Sequence, residues 1–106
     1  MPLCQVRLSK RALADLEGIA DYLGERNPSA AARVLRTLRV AFESLAESPN
    51  LGVLRDDLHP GLRIFSPSRP AQNYVICFYP IADGVEISDV IHGARDWPEL
   101  FRSGDR

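Results

Sequence analysis

Two amphipathic helical patterns follow each other with almost no link between them, and this feature constrains the fold more than any other. In KRALADLEGIADYL (10–23) and SAAARVLRTLRVAFESLAES (29–48), apolar residues recur at three- and four-residue spacing, which is typical of helices with one apolar face. Asn27 is the predicted N-cap of the second helix and Pro28 its first residue. Helices joined by so short a link run antiparallel, as a hairpin. Their apolar faces need a partner surface to pack against.

The rest of the chain supplies a sheet as that surface. The segment NYVICFY (73–79) is apolar on both faces, which is typical of a central strand with a neighbour on each side. Pro80 is expected to end it, and a tight turn at Asp83-Gly84 leads into the alternating segment 85–91. Two further strand-like segments are LCQVRL (3–8) and GLRIF (61–65).

These elements predict an α+β fold in the order β-α-α-β-β-β, with the whole chain, 1–106, as one domain. In this two-layer arrangement, the helical hairpin packs on one face of a mainly antiparallel sheet. No further segment is predicted to cover the other face, so we expect it to be exposed or covered by a second protein. The segment SPSRPAQ (66–72) contains two prolines and is predicted to be a projecting loop.

Composition and charge favour protein partners. The formal net charge is −1, whereas proteins that bind phosphate backbones usually carry a basic excess, so strong direct nucleic-acid binding is not expected. Twelve of the thirteen basic residues are arginine, which is favoured at protein interfaces. No apolar run is long enough to span a membrane and no secretion signal is evident, so a cytoplasmic location is expected, without a membrane partner.

Cys4 and Cys77 lie in separate strand-like segments, and we expect both to be buried, reduced thiols. The cysteines and histidines lack the spacing of a metal site. We therefore expect neither a metal nor a cofactor.

The order of elements and three motifs together resemble a known family. The motifs are SPNLG followed by GLR, then NYVICFY, and finally VIHGARD followed by ELF. In this order the chain resembles ParE-type toxins of the RelE/ParE toxin–antitoxin superfamily over residues 3–101. The resemblance implies the toxin of a type II module, held inactive by a ParD-like antitoxin, that inhibits DNA gyrase when free. The related RelE branch implies the alternative, a ribosome-dependent mRNA endoribonuclease.

The two functions assign different roles to the corner at residues 92–96. A ribonuclease needs an acid or base and cations for the phosphorane, and the candidates are His92, Arg63 and Arg95. In the gyrase interpretation, which we favour, the corner is a turn, no residue is catalytic, and the toxin acts by binding. A degenerate member that binds a partner without toxicity is a third possibility.

For the binding function, the predicted partner-contacting residues are Arg63, Arg69, Arg95, Trp97 and Phe101. The tail from 97 to 101 is too apolar to remain in water. Packing it would contribute on the order of 5 kcal/mol at ~25 cal/mol per Å2. We expect it either to fold back onto the domain or to form part of an interface.

Overall fold

The computed structural model describes residues 4–106 and has the predicted α+β architecture. A helical hairpin packs on a five-stranded sheet with strand order β1-β5-β4-β3-β2. The elements are β1 (Gln5–Leu8), α1 (Lys10–Arg26), α2 (Pro28–Glu47), a 3-10 turn (Pro49–Leu51), β2 (Val53–Leu54), β3 (Arg63–Phe65), β4 (Tyr74–Ile81), β5 (Gly84–His92) and α3 (Trp97–Arg102). Only the β1–β5 pair is parallel, so the described sheet is mainly antiparallel, as predicted.

Side-chain caps start both long helices, and the cap of the second is the predicted Asn27. The Ser9 hydroxyl accepts a hydrogen bond from the backbone N–H of Ala12 at 3.0 Å, and the Asn27 side chain accepts one from Ala30 at 3.1 Å. Pro28 occupies the first turn of α2, where its missing N–H leaves no helical hydrogen bond unmade. These local contacts set the short link that makes α1 and α2 antiparallel.

Strand β4 is central, with β3 on one side and β5 on the other, as its apolar sequence predicts. Its two faces contribute to two separate cores. Ile76 and Phe78 pack with the helical hairpin, whereas Val75 and Cys77 pack on the opposite face. A bulge in the β4–β5 ladder adds one residue to β5 opposite the Cys77/Phe78 step, which shifts the alternation of side chains along β5.

The expectation that no segment of this chain covers the second face was wrong. Helix α3 and the segment before β3 cover it, because packing there removes their apolar side chains from water. The second core contains Leu62, Val75, Cys77, Ile91 and Phe101, with Leu58, Ile64, Tyr79, Trp97 and Leu100 partly buried around it.

Three further expectations differ from the structure. Strand β4 continues through Pro80 to Ile81, and Pro80 pairs with Val85 of β5. Strand β3 does not extend beside Pro80, since its pairing with β4 reaches only to Phe78. Cys4 is exposed, and only Cys77 is buried. The two-residue strand β2 was not predicted, because so short a segment carries no periodic signal.

Candidate functional site

The corner that follows β5 is a hydrogen-bonded turn. His92 is the last residue of β5, and its Nδ1 accepts a hydrogen bond from the backbone N–H of Ala94 at 3.1 Å. The Arg95 N–H donates to the carbonyl of His92 at 3.0 Å. The imidazole ring meets the ring of Tyr74 edge-on, with 5.4 Å between centroids. His92 therefore has a structural task at one nitrogen.

A cavity of about 470 Å3 opens beside this turn, between α1 and the ends of β4 and β5. His92 and Arg95 line it together with Tyr22 and Tyr74. Burial raises the pKa of the Tyr74 phenol above its ordinary value, because desolvation disfavours the charged phenolate. On the outer wall, the Arg26 guanidinium stacks 3.8 Å from the centre of the Tyr22 ring. We call this space the corner cavity.

Arg63, the third residue of the candidate ribonuclease set, does not line the corner cavity. It pairs with Phe78 on β4, four residues from Tyr74, which is the partner of His92. At ~3.4 Å per residue and ~4.8 Å per strand, the backbones of Arg63 and His92 are about 16 Å apart. The Arg63 side chain bonds to the carbonyl of Gly52 at 2.9 Å. The structure thus brings His92 and Arg95 together and leaves Arg63 apart.

Arg69 lies on a second surface, a groove of about 480 Å3 between α2 and the chain that leaves β3. We call it the α2 groove. Val40, Ala41 and Phe65 supply apolar surface, and Arg36 and Arg69 supply charge. The complete lining is Arg36, Thr37, Val40, Ala41, Ser44, Phe65, Ser66, Ser68 and Arg69. The predicted loop 66–72 thus forms one wall of a groove.

The C-terminal tail folds back onto the domain, the first of the two predicted alternatives. Phe101 is buried in the second core. Trp97 is half-buried, and the Arg55 guanidinium lies 5.4 Å from the centre of its ring. Arg55 in turn forms a two-pronged pair with Asp57, with both hydrogen bonds at 2.9 Å. Trp97 keeps some surface that a partner can touch, whereas Phe101 has little.

Sequence reasoning missed an ionic cluster around the buried Asp89, which also contains Arg11, Asp15 and Arg106. Asp89 is fully buried in β5, and the Arg106 guanidinium bonds to both Asp89 and Asp15 at 2.8 Å. These carboxylates raise the pKa of Arg106 further above its already high value. Asp15 on α1 also accepts a hydrogen bond from the backbone N–H of Val90 at 2.9 Å. The available signal was an aspartate inside the apolar run 85–91.

Two general properties of residues 4–106 bear on function. No three His, Cys, Asp or Glu side chains in this range are grouped so that they could hold a metal ion. None of its helices has both the length and the apolar character needed to cross a membrane.

The fold is that of the small RelE/ParE-like toxins. A chain of the chromosomal ParDE TA system from P. aeruginosa superposes with a TM-score of 0.69 over 85% of this chain and 96% of that one, at 20% identity. The sequence profile described as "ParE toxin of type II toxin-antitoxin system, parDE" matches residues 6–97. The chain therefore belongs to the ParE toxin family of type II toxin–antitoxin systems, which confirms the resemblance drawn from its motifs.

Curated relatives carry names from both branches of the superfamily. Toxin RelE2 of Caulobacter vibrioides is 42% identical over 94 residues, covering 88% of this chain and 99% of the relative. Toxin ParE1 of the same organism is 37% identical over 87 residues, covering 81% and 85%. The relatives thus agree on a toxin, and their names differ on the branch.

Proposed function

We propose that this toxin acts by binding rather than by cleaving RNA, that DNA gyrase is its target, and that a ParD-like antitoxin neutralises it. The match to a ParE profile and the relative named ParE1 support the assignment to this branch. A gyrase inhibitor acts where chromosomal DNA is, so the proposal includes a cytoplasmic location.

The observation that carries the binding mechanism is the separation of Arg63 from His92 and Arg95. A ribonuclease stabilises the phosphorane with preorganised cations that contact the same phosphate, at about 3 Å from its oxygens. The backbone of Arg63 is about 16 Å from that of His92, and the Arg63 guanidinium is held by the Gly52 carbonyl. One imidazole and one arginine at the corner form an incomplete set for this chemistry, and they suit a contact surface better.

Within this proposal, Arg95 contacts the target and His92 supports the turn that presents it. Arg95 is exposed at the mouth of the corner cavity, and its backbone is fixed by the hydrogen bond to His92. An exposed arginine on a fixed turn is suited to pair with a carboxylate on a partner protein. Replacing Arg95 should therefore weaken toxicity more than replacing His92.

The test uses purified chain in two parallel assays. Gyrase supercoiling and accumulation of cleaved DNA measure the proposed activity, and mRNA cleavage in a translating extract measures the alternative. We expect gyrase inhibition with intact message, near-normal inhibition by His92→Ala, and at least tenfold weaker inhibition by Arg95→Ala. Addition of the ParD-like protein from the adjacent reading frame should restore supercoiling.

The alternative is a RelE-like ribosome-dependent mRNA endoribonuclease, favoured by the 42% identity to a relative named RelE2. In that mechanism His92 would transfer a proton and Arg95 would contact the scissile phosphate. Message cleavage that His92→Ala abolishes, with supercoiling unaffected, would establish this function in place of gyrase inhibition.

A further inference from the structure

The corner cavity has the composition of a contact that receives a side chain of another protein. Most of its lining is aliphatic or aromatic, and Arg95 adds a cation at its mouth. The apolar part of the lining consists of Ile19, Tyr22, Leu23, Tyr74, Val90 and Ile91. Aromatic residues and arginine are enriched among the residues that carry most of the binding energy at protein interfaces, and such residues cluster in pockets.

The wall on the α1 side is fixed and leaves room. The Tyr22 side chain is 57% exposed, and the Arg26 guanidinium both stacks 3.8 Å from its ring centre and donates to the Tyr22 carbonyl at 2.8 Å. Gly18, one turn earlier on α1, also lines the cavity. A methyl group added at Gly18 would meet no atom within 4 Å. The space beside Gly18 is therefore open to an incoming side chain.

Backbone hydrogen bonds fix the wall that carries Arg95. The Gly93 N–H donates to the Asn73 carbonyl at 2.7 Å, and the Arg95 N–H donates to the His92 carbonyl at 3.0 Å. A contact surface that is already ordered loses little conformational entropy on binding. The turn therefore presents Arg95 at a small entropic cost.

The polar groups of this wall are hydrogen-bond donors. His92 Nδ1 accepts a hydrogen bond from Ala94, so a neutral imidazole carries its proton on Nε2. In the part of the chain that the structure describes, the Arg95 guanidinium forms no salt bridge. The Asp15 carboxylate, which also lines the cavity, is already paired with Arg106 at 2.8 Å. The cavity therefore matches a ligand that brings its own carboxylate.

We propose that the corner cavity receives a large apolar side chain of gyrase, and that a neighbouring aspartate or glutamate of gyrase pairs with Arg95. This inference rests on the proposed gyrase inhibition and adds the site and the chemistry of the target segment. The cavity of about 470 Å3 lies in the lower part of the ~300–1,000 Å3 range of ligand pockets, which suits one or two side chains. Tyr22 and Tyr74 would pack against the apolar one.

Charge argues against DNA as the occupant, although gyrase also acts on DNA. A phosphate backbone is bound by several cations, whereas the cavity lining provides one arginine together with the Asp15 carboxylate. Phosphates would also leave the apolar part of the lining without a partner. A protein segment with one apolar and one acidic side chain satisfies both features.

The experiment measures the affinity of the purified toxin for gyrase holoenzyme by surface plasmon resonance, together with the toxin concentration that halves supercoiling. Gly18→Leu fills the cavity from a position where the fold has room, and Tyr22→Ala removes one wall. Each should weaken both readouts by about tenfold or more. Circular dichroism checks that the variants are folded.

Two matched controls make similar changes on α1 away from the cavity. Gly24→Leu adds the same side chain at another helical glycine where a methyl group meets no atom within 4 Å. Leu13→Ala removes another exposed side chain, 47% exposed. Both should leave the affinity within about twofold of the unmodified chain, because neither residue lines the corner cavity.

The dependence of the affinity on salt separates the two proposed contacts. Arg95→Gln should weaken binding and make it less sensitive to salt, because it removes an ion pair. Gly18→Leu should weaken binding without changing the salt dependence, because it blocks only the apolar contact. An unchanged salt dependence in Arg95→Gln would contradict the pairing with a carboxylate.

The outcomes separate this inference from the proposed function. If the unmodified chain, Gly18→Leu and Tyr22→Ala all inhibit gyrase equally well, the contact lies elsewhere, while gyrase inhibition stands. If the unmodified chain does not bind gyrase, both are overturned. If the two cavity variants keep their affinity for gyrase but lose binding to the ParD-like protein, to a DNA duplex or to a second copy of the chain, the cavity belongs to that occupant instead.

Discussion

The guanidinium of Arg106 bonds to the carboxylate of Asp89 at 2.8 Å, and that carboxylate is fully buried. The same guanidinium bonds to Asp15 on α1, so one side chain joins the C-terminal segment, α1 and β5. Beyond Leu8, β1 no longer pairs with β5, and the Asp15 carboxylate accepts the Val90 N–H at this edge. Arg106 supplies the positive charge that two carboxylates at this edge require.

Replacing Arg106 by glutamine should lower the free energy of unfolding by about 3 kcal/mol. The change leaves the buried charge of Asp89 with fewer partners, which is costly in a low-dielectric site. Arg11 and Ser88 still bond to Asp89, at 3.1 and 2.8 Å, and limit the loss. Urea unfolding measures it. Arg102→Gln, an exposed change on α3, serves as the control and should stay within about 0.5 kcal/mol; equal stability of the two variants would contradict a structural role for the cluster.

The two cysteines should differ in reactivity. Cys4 is exposed, whereas Cys77 is buried in the second core, where desolvation and then the charge of Asp89 raise the pKa of its thiol to about 12. The reactive species is the thiolate, so at pH 8 the native protein should react with one equivalent of a thiol reagent and the unfolded protein with two. Cys4→Ser should lose the native reaction; rapid labelling of both thiols without denaturant would refute this.

Cys77 should also make stability depend on alkaline pH. Its pKa is raised to about 12 from an ordinary 9.0, so between these values the native state keeps a proton that the unfolded state has lost. Its contribution to stability is therefore complete below pH 9 and declines as the pH rises towards 12, by about 1.4 kcal/mol per pH unit. Urea unfolding between pH 9.5 and 10.5 should show a shallower decline for Cys77→Ala. Parallel pH dependences would rule out this coupling.

Two glycine-to-alanine changes should have opposite effects. At Gly84, where β5 begins beside β1, an added methyl group would overlap the backbone of Gln5. We expect Gly84→Ala to destabilise the protein by about 2 kcal/mol or more, since backbone cannot yield as a flexible side chain can. At Gly18, within α1, a methyl group meets no atom within 4 Å, so Gly18→Ala should stabilise by about 0.5–1 kcal/mol. Thermal melts compare the two, and a stabilising Gly84→Ala would contradict the close β1–β5 approach.

Truncation of Phe101 should show that α3 belongs to the fold. Phe101→Ala removes a buried ring from the second core and should cost about 3–4 kcal/mol. Leu51→Ala removes an exposed side chain in the 3-10 turn and should cost under about 1 kcal/mol. Urea midpoints measure both. A small effect of Phe101→Ala would leave this residue available as a partner contact, as the sequence suggested.

Part of the candidate site followed from local sequence. The turn at residues 92–96 was predicted at the end of a strand-like segment, and the loop around Arg69 was predicted from its two prolines. The predicted grouping of Arg63 with His92 and Arg95 for cleavage is one that the structure does not form. Their relative positions depend on the β3–β4–β5 register, and no residue near Arg63 encodes that register locally.

The sequence by itself determined what depends on neighbours along the chain. Apolar spacing, the caps at Ser9 and Asn27, and the two-sided β4 specify the helical hairpin and the central strand, because each contact spans only a few residues. Tertiary structure alone decided the packing of α3, the burial of Asp89 beside Arg106, and the α2 groove. These features join segments up to 91 positions apart, and their free energies arise only after the sheet register has brought the segments together.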